Sequence, residues 1–131
     1  CTVVISEEAI GSPLIASPLS LIIMNRPSLD KFQPRLKKNG IQIINSSLID
    51  PELADKKRTR SYFVPCNEIA DKLGNSRMAN MVALGAYVQA TGCVSLQSVK
   101  DSLKSVISSH YKHLIPKNAD ALQAGADFVK G

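Results

Sequence analysis

The sequence predicts a single α/β domain over residues 1–131, with a mostly parallel or mixed sheet flanked by helices. Runs of β-branched and aliphatic residues alternate with segments whose apolar positions repeat at helical spacing, which is typical of strands joined by crossover helices. A chain of 131 residues gives one domain of common size. With 44% hydrophobic and 21% charged residues, the composition is that of an ordinary folded protein.

Four apolar segments are predicted as strands. Residues 2–5 are β-branched almost throughout, so the chain is expected to begin inside a strand. Residues 19–24 are almost continuously apolar, which is typical of a parallel strand covered on both faces. Residues 41–44 and 61–64 supply the other two strands.

The first predicted helix covers residues 27–38. Its apolar positions Leu29, Phe32 and Leu36 share one helical face. Pro34 lacks a backbone N–H and is expected to bend or interrupt this helix.

Two cap residues and a proline predict the starts of three further helices. Asn67 is expected to cap a brief helix that ends at Gly74. Ser95 is expected to cap a helix over residues 96–107, and Pro116 opens the last helix.

The helix predicted over residues 76–91 carries a stripe of small side chains. A close packing partner is expected along this stripe, and apolar residues on the remaining circumference indicate burial against the sheet and against another helix or subunit. The stripe consists of Ala79, Ala83, Ala86 and Ala90.

No catalytic constellation and no metal site is predicted from the residue types. Cys1, Cys66 and Cys93 lie far apart without a Cys-x-x-Cys pair, so the chain alone cannot assemble a zinc site or an iron–sulfur cluster. Free thiols favour a reducing cytoplasm. His110 and His113 could share a helical face, but they are interpreted as surface polar groups.

Composition also limits the classes of partner. The longest apolar stretch, residues 81–88, is too short to cross a membrane. No nucleic-acid-binding module is visible, and Trp is absent. The basic run 56–60, with Arg58 and Arg60, is either a solvated loop or a contact for a phosphorylated ligand or an acidic partner.

Two polar clusters are candidate binding sites. Arg77 and Asn80 are one turn apart near the start of the helix over 76–91, and the alternative is that this block serves capping and packing only. Asn45 and Ser46 end a predicted parallel strand, at the edge where open α/β sheets bind ligands.

An ordered series of short motifs spans residues 3–107, and the block 75–86 is its strongest part. The other motifs are Val3-Val4-Ile5-Ser6, Ile10-Gly11-Ser12-Pro13, Asn45-Ser46-Ser47-Leu48, Glu68-Ile69-Ala70, and Thr91-Gly92 with Val94-Ser95-Leu96. In these motifs the chain resembles the gamma subunit, or gamma domain, of the 2-oxoacid:ferredoxin (acceptor) oxidoreductases.

The resemblance implies a subunit of an enzyme that decarboxylates a 2-oxoacid oxidatively and joins the acyl group to coenzyme A. It places thiamine diphosphate and magnesium on alpha and beta subunits, and the iron–sulfur clusters on a ferredoxin-like subunit. The implied substrate is 2-oxoglutarate first, followed by pyruvate and branched 2-oxoacids. The alternatives are a module that binds coenzyme A or another phosphorylated ligand by itself through residues 56–60, and a plain structural subunit.

The chain departs from the family pattern at two places. The amino-terminal strand and glycine-rich turn of the family have no counterpart before Cys1. At Cys66 the family pattern accepts a small residue, which favours packing over thiol chemistry.

Overall fold

The sheet has three parallel strands in the order β1-β2-β3, in a computed structural model that describes residues 1–131. The strands are β1 (Ser20–Ile23), β2 (Ile41–Asn45) and β3 (Arg60–Val64). The predicted α/β class, with a mostly parallel sheet flanked by helices, is confirmed.

The middle strand is covered on both faces. Ile43 and Ile44 point to opposite faces because side chains alternate along a strand, and both are buried. Strand β1 was predicted to be equally covered, but it lies at the sheet edge and Ile22 remains 41% exposed.

Five helices surround the sheet. Their bounds are α1 (Arg26–Phe32), α2 (Cys66–Lys72), α3 (Ala79–Thr91), α4 (Leu96–Val106) and α5 (Ile115–Lys130). Short 3₁₀ turns occupy residues 33–35, 51–53, 76–78 and 109–114.

Most of the predicted helices are present in the structure. The predicted helix 27–38 stops being α-helical after Phe32 and passes into the 3₁₀ turn that contains Pro34. The Ser95 hydroxyl caps α4 by accepting a hydrogen bond from the Ser98 N–H at 3.0 Å.

Two predictions of local structure are wrong. Asn67 does not cap α2, which begins at Cys66, and its side chain instead accepts a hydrogen bond from Asn45. Residues 2–5 form no strand. Their β-branched side chains favour an extended backbone, but a strand also needs a hydrogen-bonded neighbour, and this segment pairs with none.

Helices α3 and α5 pack with their backbones in direct contact. A side chain at Gly85 would overlap the carbonyl oxygen of Leu122, and one at Gly125 would overlap the carbonyl oxygen of Val82. The predicted close contact of the helix over 76–91 is therefore made inside the chain. Its tightest point is Gly85 rather than the alanine stripe.

Two apolar clusters hold these layers together. One contains Ile43 of the sheet with residues of α2, α3 and α5, and the other joins Ile23 and Ile44 to Leu29 of α1. A hydrogen bond of 2.8 Å between the hydroxyls of Tyr87 and Ser20 ties α3 to β1. No helix in the structure combines the length and the apolar character needed to span a bilayer.

We predict that Gly85→Ala and Gly125→Ala each lower the free energy of unfolding by roughly 1–3 kcal/mol, because the added methyl group forces two backbones apart. Urea denaturation measures this loss. Gly11→Ala is the control, since no atom lies within 4 Å of the added carbon. Equal stability of all three variants would contradict the close contact.

Candidate functional site

Asn45 ends β2 and is fully buried, and its amide joins three segments of the chain. Its Nδ2 group donates to Asn67 Oδ1 at 2.7 Å and to the Met24 carbonyl at 3.4 Å. Its Oδ1 atom accepts from the N–H groups of Cys66 at 3.1 Å and Ser47 at 3.3 Å. These contacts position the loops at the carboxyl edge of the sheet.

The neighbouring residues at this edge are partly open. Ser46 is half-buried, and its N–H donates to the Val64 carbonyl at 3.0 Å. Its hydroxyl makes no hydrogen bond within the chain, so Ser46 is available to a ligand in a way that Asn45 is not.

Cys66 begins α2 and is completely buried in the larger apolar cluster. Burial raises the pKa of its thiol from 9.0 to about 12, and a backbone hydrogen bond offsets only part of this rise. A thiol with this pKa stays protonated at neutral pH, so it is a poor nucleophile.

A polar pocket of about 480 Å³ lies where α3 and α5 begin. Its walls are Asn75, Arg77, Met78, Asn80, Leu114 and Asn118. The helices touch at Gly85 and Gly125, further along, so the same contact that packs them brings both amino termini to this pocket.

The polar side chains of the pocket have free hydrogen-bonding groups. Arg77 is exposed and forms no ion pair or side-chain hydrogen bond. Asn80 is exposed, with its Oδ1 accepting from the N–H of Met81 at 2.9 Å. Asn118 is 8% exposed and donates to the Leu114 carbonyl at 2.8 Å, while its own Oδ1 accepts no hydrogen bond.

Asn75 shapes the entry to α3. Its Oδ1 accepts a hydrogen bond from the Arg77 N–H at 3.1 Å and so caps the 3₁₀ turn over residues 76–78 that leads into α3. Two helix amino termini and one unpaired guanidinium make the pocket favourable for an anionic group.

The basic run lies at the opposite, amino edge of the strands, because Arg60 pairs with Ile41 in the sheet. Arg58 is turned inward: its guanidinium contacts Asp55 and the carbonyls of Leu36 and Gln33 at 2.6–3.2 Å. Arg60 is exposed and forms no ion pair.

The six predicted site residues thus occupy three places. Arg77 and Asn80 share the polar pocket, as their spacing predicted. Asn45 and Ser46 lie at the carboxyl edge of the sheet, and Arg58 and Arg60 near its amino edge.

The pocket residue Asn118 was not predicted from the sequence. Its signal is a polar residue near the start of a helix whose inward positions are otherwise small or apolar. His110 and His113 are exposed, and nowhere in the chain do three metal-ligating side chains come together.

The fold and the pocket define a parallel α/β module that has a polar, anion-favouring pocket and no group of metal ligands. The sequence pattern of the pyruvate ferredoxin/flavodoxin oxidoreductase family, POR, matches residues 1–128. The chain therefore belongs to this family.

Curated relatives cover nearly the whole chain. It is 36% identical to the ketoisovalerate oxidoreductase subunit VorA of Methanothermobacter marburgensis, over 99% of this chain and 27% of that protein. It is 34% identical to the 2-oxoglutarate synthase subunit KorC of the same organism, over 97% of this chain and 69% of that protein. The chain thus spans about a quarter of VorA and about two thirds of KorC.

Solved structures share the fold. The gamma subunit of a keto/oxoacid ferredoxin oxidoreductase from Geobacter sulfurreducens superposes with a TM-score of 0.67 at 26% identity, over 85% of this chain and 63% of that chain. A 2-oxoglutarate:ferredoxin oxidoreductase from Magnetococcus marinus gives a TM-score of 0.70 at 18% identity, over 85% of this chain and 19% of that chain.

We predict a loss of stability above pH 9 that depends on Cys66. The unfolded thiol ionises near pH 9, whereas the folded thiol keeps its proton up to about pH 12. The free energy of unfolding therefore falls between these values by up to about 1.4 kcal/mol per pH unit. Urea denaturation from pH 8 to 10.5 measures this slope. The variant Cys66→Ala should show a shallower fall, and parallel curves would contradict the assignment.

Proposed function

We propose that this chain is the gamma part of a 2-oxoacid:ferredoxin oxidoreductase, an enzyme that decarboxylates a 2-oxoacid oxidatively and transfers the acyl group to coenzyme A. The observation that carries this proposal is family membership over residues 1–128, together with relatives that are subunits of such enzymes. The three free cysteines support a location in the reducing cytoplasm.

The residues present do not fit the redox and thiamine cofactors of such an enzyme. An iron–sulfur cluster needs several thiolates at one place, and here Cys66 is buried while Cys1 and Cys93 are exposed. No group of three His, Cys, Asp or Glu side chains could hold magnesium. We therefore assign thiamine diphosphate, magnesium and the iron–sulfur clusters to partner subunits: alpha, beta and a ferredoxin-like subunit.

The 2-oxoacid is selected by the partners in this proposal. A relative from Thermococcus litoralis, 29% identical over 82% of this chain, is named a common gamma subunit of pyruvate and ketoisovalerate oxidoreductases. One gamma subunit thus serves two substrates there, and the VorA and KorC relatives are nearly equally similar to this chain. We propose 2-oxoglutarate as the substrate, since the chain spans 69% of the 2-oxoglutarate synthase subunit KorC and only 27% of VorA.

We assign to the polar pocket a part in binding coenzyme A. The Magnetococcus marinus structure contains 2-oxoglutarate, coenzyme A and succinyl-CoA. Coenzyme A carries phosphates and an amide-rich arm. Arg77 and the two helix amino termini suit a phosphate, and the amides of Asn80 and Asn118 suit amide groups.

Chemically, the pocket residues bind and orient, and they hold no proton that the reaction needs. Arg77 stays charged at any physiological pH and can pair with a phosphate through two parallel N–H groups. Asn80 and Asn118 can each both donate and accept a hydrogen bond. The basic run 56–60 is the weaker candidate for this ligand, because Arg58 is engaged by Asp55 and two carbonyls.

We predict that this chain alone shows no 2-oxoacid-dependent reduction of a viologen dye, and that adding the partner subunits produces the activity. The assembled enzyme should use 2-oxoglutarate with a higher kcat/KM than pyruvate or ketoisovalerate. Anaerobic dye-reduction assays with each 2-oxoacid measure the dependence on partner subunits and the relative kcat/KM values. Activity of the isolated chain would contradict the proposed division of labour.

We predict that Arg77→Ala in the assembled enzyme raises the KM for coenzyme A about 10-fold, which corresponds to the loss of one charge-assisted contact of about 1.4 kcal/mol. The kcat should change little, because the contact lies away from the reacting thiol. Asn80→Ala should act in the same direction, and Arg77→Lys should retain part of the affinity.

The control for these variants is Gln89→Ala, at an exposed position of α3 whose side chain makes no hydrogen bond. Thermal stability should be unchanged by Arg77→Ala, since this guanidinium has no partner in the chain. An unchanged KM for coenzyme A in both pocket variants would contradict the role of the pocket and leave the subunit assignment intact.

A further inference from the structure

The net positive charge of the chain comes from one segment. Residues 26–60 contain nine basic and four acidic side chains, whereas the rest of the chain contains seven of each. The entire net charge of +5 therefore comes from this segment, which includes α1, β2 and the loops that precede β2 and β3.

Most of these cations have no acidic partner. Ion pairs engage Arg26, Lys56 and Arg58 with Asp30, Glu52 and Asp55. The cations that remain exposed and form no ion pair close to the amino edge of the sheet are Arg35, Lys37, Lys38, Lys57 and Arg60, which we call the basic face.

Backbone hydrogen bonds join the two loops that carry the basic face. The N–H of Asn39 donates to the Arg58 carbonyl at 2.8 Å, and the N–H of Arg60 donates to the Gly40 carbonyl at 2.9 Å. The Arg58 side chain adds contacts to Leu36 and Gln33 across the same junction. Arg58 is thus a positioning residue for its charged neighbours.

A network of hydrogen bonds around the buried amide of Gln42 holds these loops in place. Gln42 of β2 is fully buried and donates to Gln33 at 2.8 Å and to Thr59 at 2.9 Å. Gln33 in turn accepts from the N–H of Asp55 and donates to the Leu53 carbonyl. The charges therefore project from a preorganised surface, which reduces the entropy lost when a partner binds.

The shape of the basic face suits an extended partner rather than a small ligand. No cavity encloses these five side chains: the polar pocket contains none of them, and the apolar groove beside β1 includes only Arg35 and Lys37. Phe32 is the large apolar side chain of α1 that remains exposed near this face. A surface with five unpaired cations and no enclosing cavity is typical of transient, electrostatically steered complexes.

We propose that the basic face steers and docks an acidic electron-carrier protein of the ferredoxin type onto the assembled oxidoreductase. This inference rests on the proposed function, which supplies a reason for such a carrier to approach. An acidic protein is favoured over a nucleic acid because the chain has no nucleic-acid-binding module, and the exposed ring of Phe32 alone provides no row of stacking partners for successive bases.

The test uses the assembled enzyme with the double variant Lys38→Glu and Lys57→Glu. At low ionic strength we expect kcat/KM for an acidic ferredoxin to fall about 10-fold or more, as electrostatic steering predicts. The rate with methyl viologen should be unchanged. Salt should depress ferredoxin reduction strongly in the wild type and weakly in the variant.

Matched variants separate local from overall charge. The double variant Lys104→Glu and Lys130→Glu makes the same change in net charge at exposed positions of α4 and α5, and it should leave kcat/KM for ferredoxin within about twofold. The double variant Lys38→Gln and Lys57→Gln removes the two charges without reversing them. It should lower kcat/KM for ferredoxin less than the charge reversal does.

Two results would overturn the inference. The first is an equal loss of ferredoxin activity in the double variant of the basic face and in the double variant of α4 and α5. This result would show that only the net charge of the chain matters. The second is unchanged ferredoxin kinetics in the face variant. If this variant also loses binding of single-stranded poly(U) RNA, the face is assigned to nucleic acid. A failure of the proposed function is distinguishable, because the wild-type complex would then reduce no viologen with any 2-oxoacid.

Discussion

The backbone contact between α3 and α5 determines where the polar pocket of this protein forms. Glycine at positions 85 and 125 lets the two helices approach until each meets the carbonyl oxygen of the other, which no side chain larger than hydrogen permits. Both helices consequently begin at one pocket. The unpaired hydrogen-bonding groups of Arg77, Asn80 and Asn118 face the same space because this packing brings the two helix starts together.

Much of the architecture could be predicted from the sequence, because local patterns and tertiary packing agree there. Almost continuous apolar character indicated β1, and the Ser95 cap marked the start of α4. The prediction failed where structure depends on a distant partner. Residues 2–5 have strong strand propensity and yet pair with nothing. Asn67 accepts a hydrogen bond from Asn45 of β2 instead of capping its own helix.

The candidate site could be predicted in part for the same reason. Helical spacing alone places Arg77 and Asn80 on one face, and both line the polar pocket. Asn118 comes from a helix nearly forty residues later, so no local pattern links it to them. The contacts of the Arg58 guanidinium could not be predicted from local sequence either, since its carbonyl partners precede it by more than twenty residues.

Strand β1 leaves one edge of the sheet unpaired. Its outer side has no strand beside it, and the adjoining groove is lined with aliphatic residues such as Val3 and Ile22, which are 70% and 41% exposed. Unsatisfied backbone groups next to apolar surface recruit any extended peptide that comes near. A purified preparation of the chain alone is therefore prone to aggregation at this margin, a hazard that disappears once another polypeptide lies along it.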